Sequence, residues 1–145
     1  MKQKWFLSLV VFFGAGVISL LSAQSPVGMW RTIDDKTGKP KSHVEIYMEN
    51  GELKGRVKKL LLKPETTLCE KCEGNLKNKR VVGMDVIRGL KKDGKEYAGG
   101  TIIDPENGKE YRCSLWLEGD DKLVVRGYIG ISLIGRSQTW ERIRS

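Results

Sequence analysis

Asp104-Pro105-Glu106-Asn107-Gly108-Lys109-Glu110-Tyr111 reads as a turn with a strand on either side. Pro105 fixes its own φ and has no N–H to give to a sheet ladder. Asn107-Gly108 is a pair that readily takes φ > 0 in a two-residue hairpin turn. Residues 95–103 before it and 110–118 after it read as strands, so the unit is an antiparallel hairpin.

Outward from this hairpin the same grammar repeats. Residues 27–33 form a first strand, and residues 34–40 a turn cluster. Residues 42–49 alternate, with Val44, Ile46 and Met48 on one face and His43, Glu45 and Tyr47 on the other. Asn50-Gly51 is a second type I′ signal. Leu53, Gly55, Val57, Lys59 and Leu61 are expected to share a face of the next strand. Residues 63–79 break the pattern with a polar loop that holds Pro64, Cys69, Cys72 and Gly74. Strands resume at 81–88, 122–128 and 136–143. Residues 129–135 form a Gly-punctuated apolar segment. The pentapeptides at 93–97 and 107–111 differ only in Asp against Asn at their first position, and read as two equivalent turn-to-strand starts. No segment after residue 23 has sustained helical periodicity.

Eight short antiparallel strands in sequence predict an all-β fold, a single up-and-down barrel. Closure removes the unpaired edges of an open sheet. A two-sheet sandwich is the competing solution. Residues 24–145 are the expected barrel domain. Residues 1–23 read as a cleaved signal peptide: Lys2 and Lys4, an apolar run over 5–21, then Ser22-Ala23. That reading places the protein in the periplasm. The chain carries a formal charge of +8, and losing Lys2 and Lys4 with the leader leaves +6. For an exported protein this disfavours nucleic acid as a partner and keeps an anionic envelope surface in view. The basic concentration at Lys54, Arg56, Lys58, Lys59 and Lys63 reads first as a solvated strand face.

Cys69-Glu-Lys-Cys72 has the spacing of a redox dithiol, half a zinc site or a small local disulfide. His43 and Cys113, the remaining His and Cys, fall on polar and apolar strand faces, which argues against completing a metal site. An oxidising compartment favours the disulfide. Cys113 reads as a buried free thiol. There is no Gly-x-Ser-x-Gly motif. Asp85, set between Met84 and Val86, reads as a paired structural carboxylate. Neither a cofactor nor a metal is expected.

Gly28-Met-Trp30, Cys69-Glu-Lys-Cys72, residues 104–111 and residues 127–140 resemble the signature stretches of domain-of-unknown-function family 2147, a group of exported bacterial proteins. The resemblance implies an envelope location and no particular activity. Gly28, Trp30 and an Arg of the last strand, Arg142 with Arg136 or Arg144 as alternatives, also resemble the pair that closes lipocalin-like barrels. In those folds the Arg lies across the Trp.

These readings favour a non-catalytic protein that holds a lipid-like, apolar or amphipathic molecule in the barrel. Val44, Ile46, Val57, Gly99, Thr101, Tyr111, Leu115, Val125 and Gly127 are the expected wall, with Leu133 and Ile134 as a lip or plug. The alternatives are an envelope interaction module with a solid core, and a thiol oxidoreductase using Cys69 and Cys72.

Overall fold

The computed structural model describes residues 24–129 and 135–145, together with Val11, Gly14 and Gly16. The rest of the expected signal peptide, and Leu133 and Ile134, therefore lie outside the described residues. The strands are β1 (Gly28–Ile33), β2 (Pro40–Glu49), β3 (Glu52–Leu60), β4 (Asp85–Asp93), β5 (Glu96–Ile103), β6 (Glu110–Glu118), β7 (Lys122–Tyr128) and β8 (Gly135–Arg142). Each pairs antiparallel with the next, and β8 returns to β1, so the sheet closes on itself as an up-and-down barrel. The β1–β8 seam is short. It pairs at Trp30–Arg142 and Arg31–Glu141.

Asn50 (φ 52°) and Gly51 (φ 76°) both adopt positive φ, which makes the β2–β3 connection the type I′ turn expected there. The turn at 104–109 is different. Only Gly108 is positive, at φ 71°. The Gly108 N–H donates to the Asp104 carbonyl (2.8 Å), and the Asp104 N–H donates to the Lys109 carbonyl (2.9 Å). Asp104 Oδ1 accepts the Glu106 N–H and Asn107 Oδ1 accepts the Lys109 N–H, each at 2.8 Å. Asn107 thus caps the turn with its side chain instead of entering the left-handed region. Residues 34–39 repeat the backbone pattern, with Gly38 N–H on the Asp34 carbonyl at 2.8 Å and Asp34 N–H on the Lys39 carbonyl at 2.8 Å. The true structural repeat is therefore 34–39 with 104–109. Residues 93–97 lie at the opposite end of the barrel from 107–111, so their sequence likeness marks no equivalent position.

Two irregularities shift the strand faces. Between β2 and β3 the register passes from His43–Lys59 to Val44–Val57, which leaves Lys58 as the extra residue of a bulge. Beyond it Leu60 turns inward and Leu61 outward, the reverse of simple alternation. Between β5 and β6 the register runs from Tyr97–Leu115 to Gly100–Cys113, three residues against two. Thr101 consequently pairs with Arg88 and Arg112 on the outer face, and Gly99 lies exposed at the bulge. Neither is an inner-wall residue, contrary to the expectation from the pattern.

The core fills one half of the barrel. Trp30, Ile46, Leu53, Ile87, Leu90, Leu115 and Leu123 are all fully buried near the end that carries the β2–β3, β4–β5 and β6–β7 turns. Burial of an aliphatic side chain of this size contributes about 1.5–3 kcal/mol, so this layer dominates the stability of the sheet. The long connection after β3 adds to the same core. Cys69, Cys72, Val81 and Met84, from the long β3–β4 connection, are buried together with Ile103. Among the described residues this connection holds one short 3-10 turn, Gly74–Leu76, and no α-helix occurs.

Candidate functional site

At the filled end, Arg142 lies over Trp30, its Cζ 4.4 Å from the ring centroid. Its guanidinium donates to the carbonyls of Ser25 (2.7 Å), Val27 (3.1 Å) and Asp120 (2.6 Å). The Trp30 indole N–H donates to the Pro26 carbonyl at 2.8 Å. Gly28 makes room for this arrangement, since a Cβ there would stand 2.8 Å from Arg142 Nη1. One side chain thus ties the N-terminal lead, the β6–β7 turn and the last strand together and seals this end. Arg144 instead pairs with Asp120 and Asp121, and Arg136 with Asp35.

The other half of the barrel is hollow. A cavity of about 900 Å³ opens at the end that carries the β1–β2, β3–β4 and β5–β6 connections. That volume lies in the range of small-molecule sites. Its walls differ in chemistry. Val57, Val86, Ile102 and Val125 make an apolar side. Thr32, Ser42, Gln138 and Trp140 make a polar one, on β1, β2 and β8. The Thr32 and Ser42 hydroxyls pair at 2.6 Å. The Trp140 indole N–H donates to Gln138 Oε1 at 3.2 Å, and Gln138 Nε2 donates to Asp35 at 2.8 Å.

The rim is built by the long connection after β3. Cys69 and Cys72 are joined as a disulfide, and Cys113 is free and buried inside the barrel. Burial pushes the Cys113 thiol up to about 12. The disulfide segment rests on the 104–109 turn. Cys69 Sγ lies 3.5 Å from the Pro105 carbonyl oxygen, and a Cβ on Gly108 would stand 1.9 Å from the Lys71 carbonyl oxygen. Leu62 and Leu68, about half exposed, form the apolar lip of the cavity. Lys41 and Lys63 both reach Glu106 Oε1, at 3.0 and 3.5 Å, and hold its carboxyl below the usual range, with the Lys41 contact foremost.

Of the residues expected in the wall, Val44, Val57, Tyr111, Val125 and Gly127 line the cavity. Ile46 and Leu115 lie beneath it, in the filled half. Gly99 and Thr101 are outside it for the register reasons given above. Pattern reading missed Leu60, Leu62, Ile102, Gln138 and Trp140. The Leu60-Leu61-Leu62 run before a polar loop was a signal for the lip. On the outer face, Asp85 accepts from the Tyr47 hydroxyl (2.7 Å) and from Arg56 Nε (3.1 Å), as a paired structural carboxylate should. His43 pairs across the strands with Arg31 and Lys59 on that face. No group of side chains among the described residues is arranged to hold a metal ion.

A solved structure described as "Protein HP1028 from the human pathogen Helicobacter pylori belongs to the lipocalin family" superposes with a TM-score of 0.73. The likeness covers 83% of this chain and 84% of that one, at 20% sequence identity, and shows a shared lipocalin-like fold. No curated protein matches. The family model for DUF2147, uncharacterized proteins conserved in bacteria, matches residues 28–142, nearly the whole barrel from the Gly28-Met-Trp30 strand to the sealing Arg142, and the chain belongs to that family.

Proposed function

We propose that the protein is a non-catalytic carrier or sensor that holds a small apolar or amphipathic molecule in the open half of the barrel. The observation that carries this reading is the half-filled interior. A solid-core module would continue the leucine and isoleucine layer to the mouth, whereas here Gly127, Val57, Val86, Ile102 and Val125 border a cavity of about 900 Å³. The lipocalin-like fold is compatible with the same use. The sequence of residues 1–23 and the Cys69–Cys72 disulfide support a periplasmic location, where such a bond persists. Both sulfur-bearing residues are buried, at 0% and 2% exposure, which suits a pinned loop better than a thiol–disulfide catalyst.

The test is binding of the neutral fluorophore N-phenyl-1-naphthylamine, with native mass spectrometry of the protein purified from its own export compartment. The wild type should enhance the fluorescence saturably and carry a non-protein mass. Gly127→Leu should abolish both while preserving the β-sheet spectrum, because the nearest neighbours of a Cβ at Gly127, Ile102 and Tyr111, stand at ordinary contact distance and Gly127 lines the cavity. A wild type that neither enhances the fluorophore nor carries a bound mass would sink the proposal.

A further inference from the structure

We infer that the Lys41–Lys63 pair is the headgroup position for an anionic single-chain amphiphile, a carboxylate or phosphate monoester, and that Glu106 competes for it from the 104–109 turn. This rests on the cavity being a ligand site, and names the class of molecule it takes.

The two lysines come from different elements. Lys41 stands near the start of β2, and Lys63 on the connection after β3. Both ammonium groups converge on one oxygen, Glu106 Oε1. Two cations aimed at a single oxygen from two sides define a place for an anion. The occupant is a side chain from a third element, the 104–109 turn, and it is 44% exposed. A carboxylate on an exposed turn can swing into solvent at little cost. Lys41 and Lys63 sit on a strand start and a loop that both line the cavity.

The other rim charges are already committed. Asp104 caps its own turn. Asp34 accepts the backbone N–H of Thr37 at 2.9 Å and its hydroxyl at 2.8 Å, and reaches Lys41 only at 3.9 Å. Arg136 is held by Asp35. Glu70 and Lys71 are adjacent lip residues of opposite charge, so together they bring no net charge to the rim. When Glu106 leaves, the position between Lys41 and Lys63 lacks its closest counter-charge. Val57, Val86, Ile102 and Val125 then offer the apolar surface below it for a tail. A ligand with an anionic head and one hydrocarbon chain satisfies both ends at once. A neutral amphiphile satisfies only the tail and leaves the Glu106 clasp in place.

The experiment compares dodecanoate, dodecyl phosphate and dodecan-1-ol as competitors of N-phenyl-1-naphthylamine at neutral pH and low salt. The result is read as the ratio of anion to alcohol affinity, so that any general change in the cavity cancels. In the wild type both anions should bind about tenfold tighter than the alcohol, the scale of two partly exposed charge-assisted contacts. The preference should shrink as salt is raised. In the double variant Lys41→Gln, Lys63→Gln the ratio should fall to near one. In Glu106→Gln it should rise about threefold or more, because the competing carboxylate is gone. Circular dichroism confirms that each variant is folded, and single variants replace the double one if it is not. Equal binding of anion and alcohol to the wild type, a preference that survives loss of both lysines, or a ratio that falls in Glu106→Gln would overturn the assignment. If the fluorophore and all three competitors fail to bind, the cavity reading itself falls, and this inference with it.

Discussion

Replacing Gly108 by alanine should undock the disulfide segment from the rim, and Gly38 supplies the control. The two glycines occupy the same position in turns with the same backbone hydrogen bonds, at φ 71° and 70°. An L-residue in that conformation costs about 1–2 kcal/mol at either site. Beyond this the sites differ. A Cβ at Gly38 meets nothing within 4 Å. A Cβ at Gly108 would fall 1.9 Å from the Lys71 carbonyl oxygen and 2.9 Å from the Cys72 nitrogen, backbone atoms that can only move with the loop. Moving it uncovers part of the buried core where the loop contributes Cys69 and Cys72. Partial exposure there costs roughly 2 kcal/mol more, about one aliphatic side chain. Gly38→Ala should therefore lose about 1–2 kcal/mol, and Gly108→Ala about 3–4 kcal/mol. For a domain of this size the difference corresponds to about 6–10 °C in Tm. Urea and thermal unfolding followed by tryptophan fluorescence measure it. Limited trypsin digestion locates it, since Lys71, Lys77 and Lys79 should become cleavable in Gly108→Ala alone. Equal destabilisation of the two variants, with the loop still protected, would refute the docking argument.

Trp30→Ala should cost about 3–5 kcal/mol, because a fully buried ring and the cation stacked on it are lost together; denaturant unfolding checks this. Without reductant, alkylation should modify only Cys113, and that only after denaturation, because the thiol is both buried and pushed up to about 12; Cys69 and Cys72 should label only once reduced. Burial, first, and the Asp85 hydrogen bond raise Tyr47 to about 12 from its ordinary 10.0. The native pKa lies above the unfolded one, so the contribution of this residue is intact below pH 10 and lost as pH rises toward 12. Absorbance titration near 295 nm should show a late-ionising component that is lost in Tyr47→Phe.

The barrel was legible where side chains alternate without interruption. Val44 and Ile46, or Leu123 and Val125, announce an inward face through period two alone. Legibility ended at the bulges, where one additional residue reverses inside and outside for the rest of a strand. Lys58 hides that reversal because it sits among other lysines, so Leu61 looked inward and Leu60 did not. Gly99 and Thr101 were misplaced by the same mechanism in β5. Turn type was half readable. Asn50-Gly51 is free to adopt its two-residue turn, whereas Asn107-Gly108 belongs to a longer one led by Asp104 and Pro105, in which Asn107 serves as a hydrogen-bond acceptor. The mouth was the least accessible part, since Lys41, Lys63 and Glu106 lie far apart in sequence and meet only once the barrel has closed.

The seam between β1 and β8 has a kinetic meaning. Its paired residues, Trp30 and Arg142, are separated by almost the entire barrel sequence, so their contact carries the largest loop-closure entropy of any strand pair. The seven pairings between successive strands, the β3–β4 pair across its long connection included, can form first and produce a curled, open sheet. Arg142 then fastens the two ends by stacking on Trp30 and gripping three carbonyls. A fastening made that late stabilises the native state more than the transition state. It therefore governs how slowly the barrel opens more than how quickly it forms. Where unfolding is irreversible, a slow opening rate is what sets the working lifetime of the folded barrel.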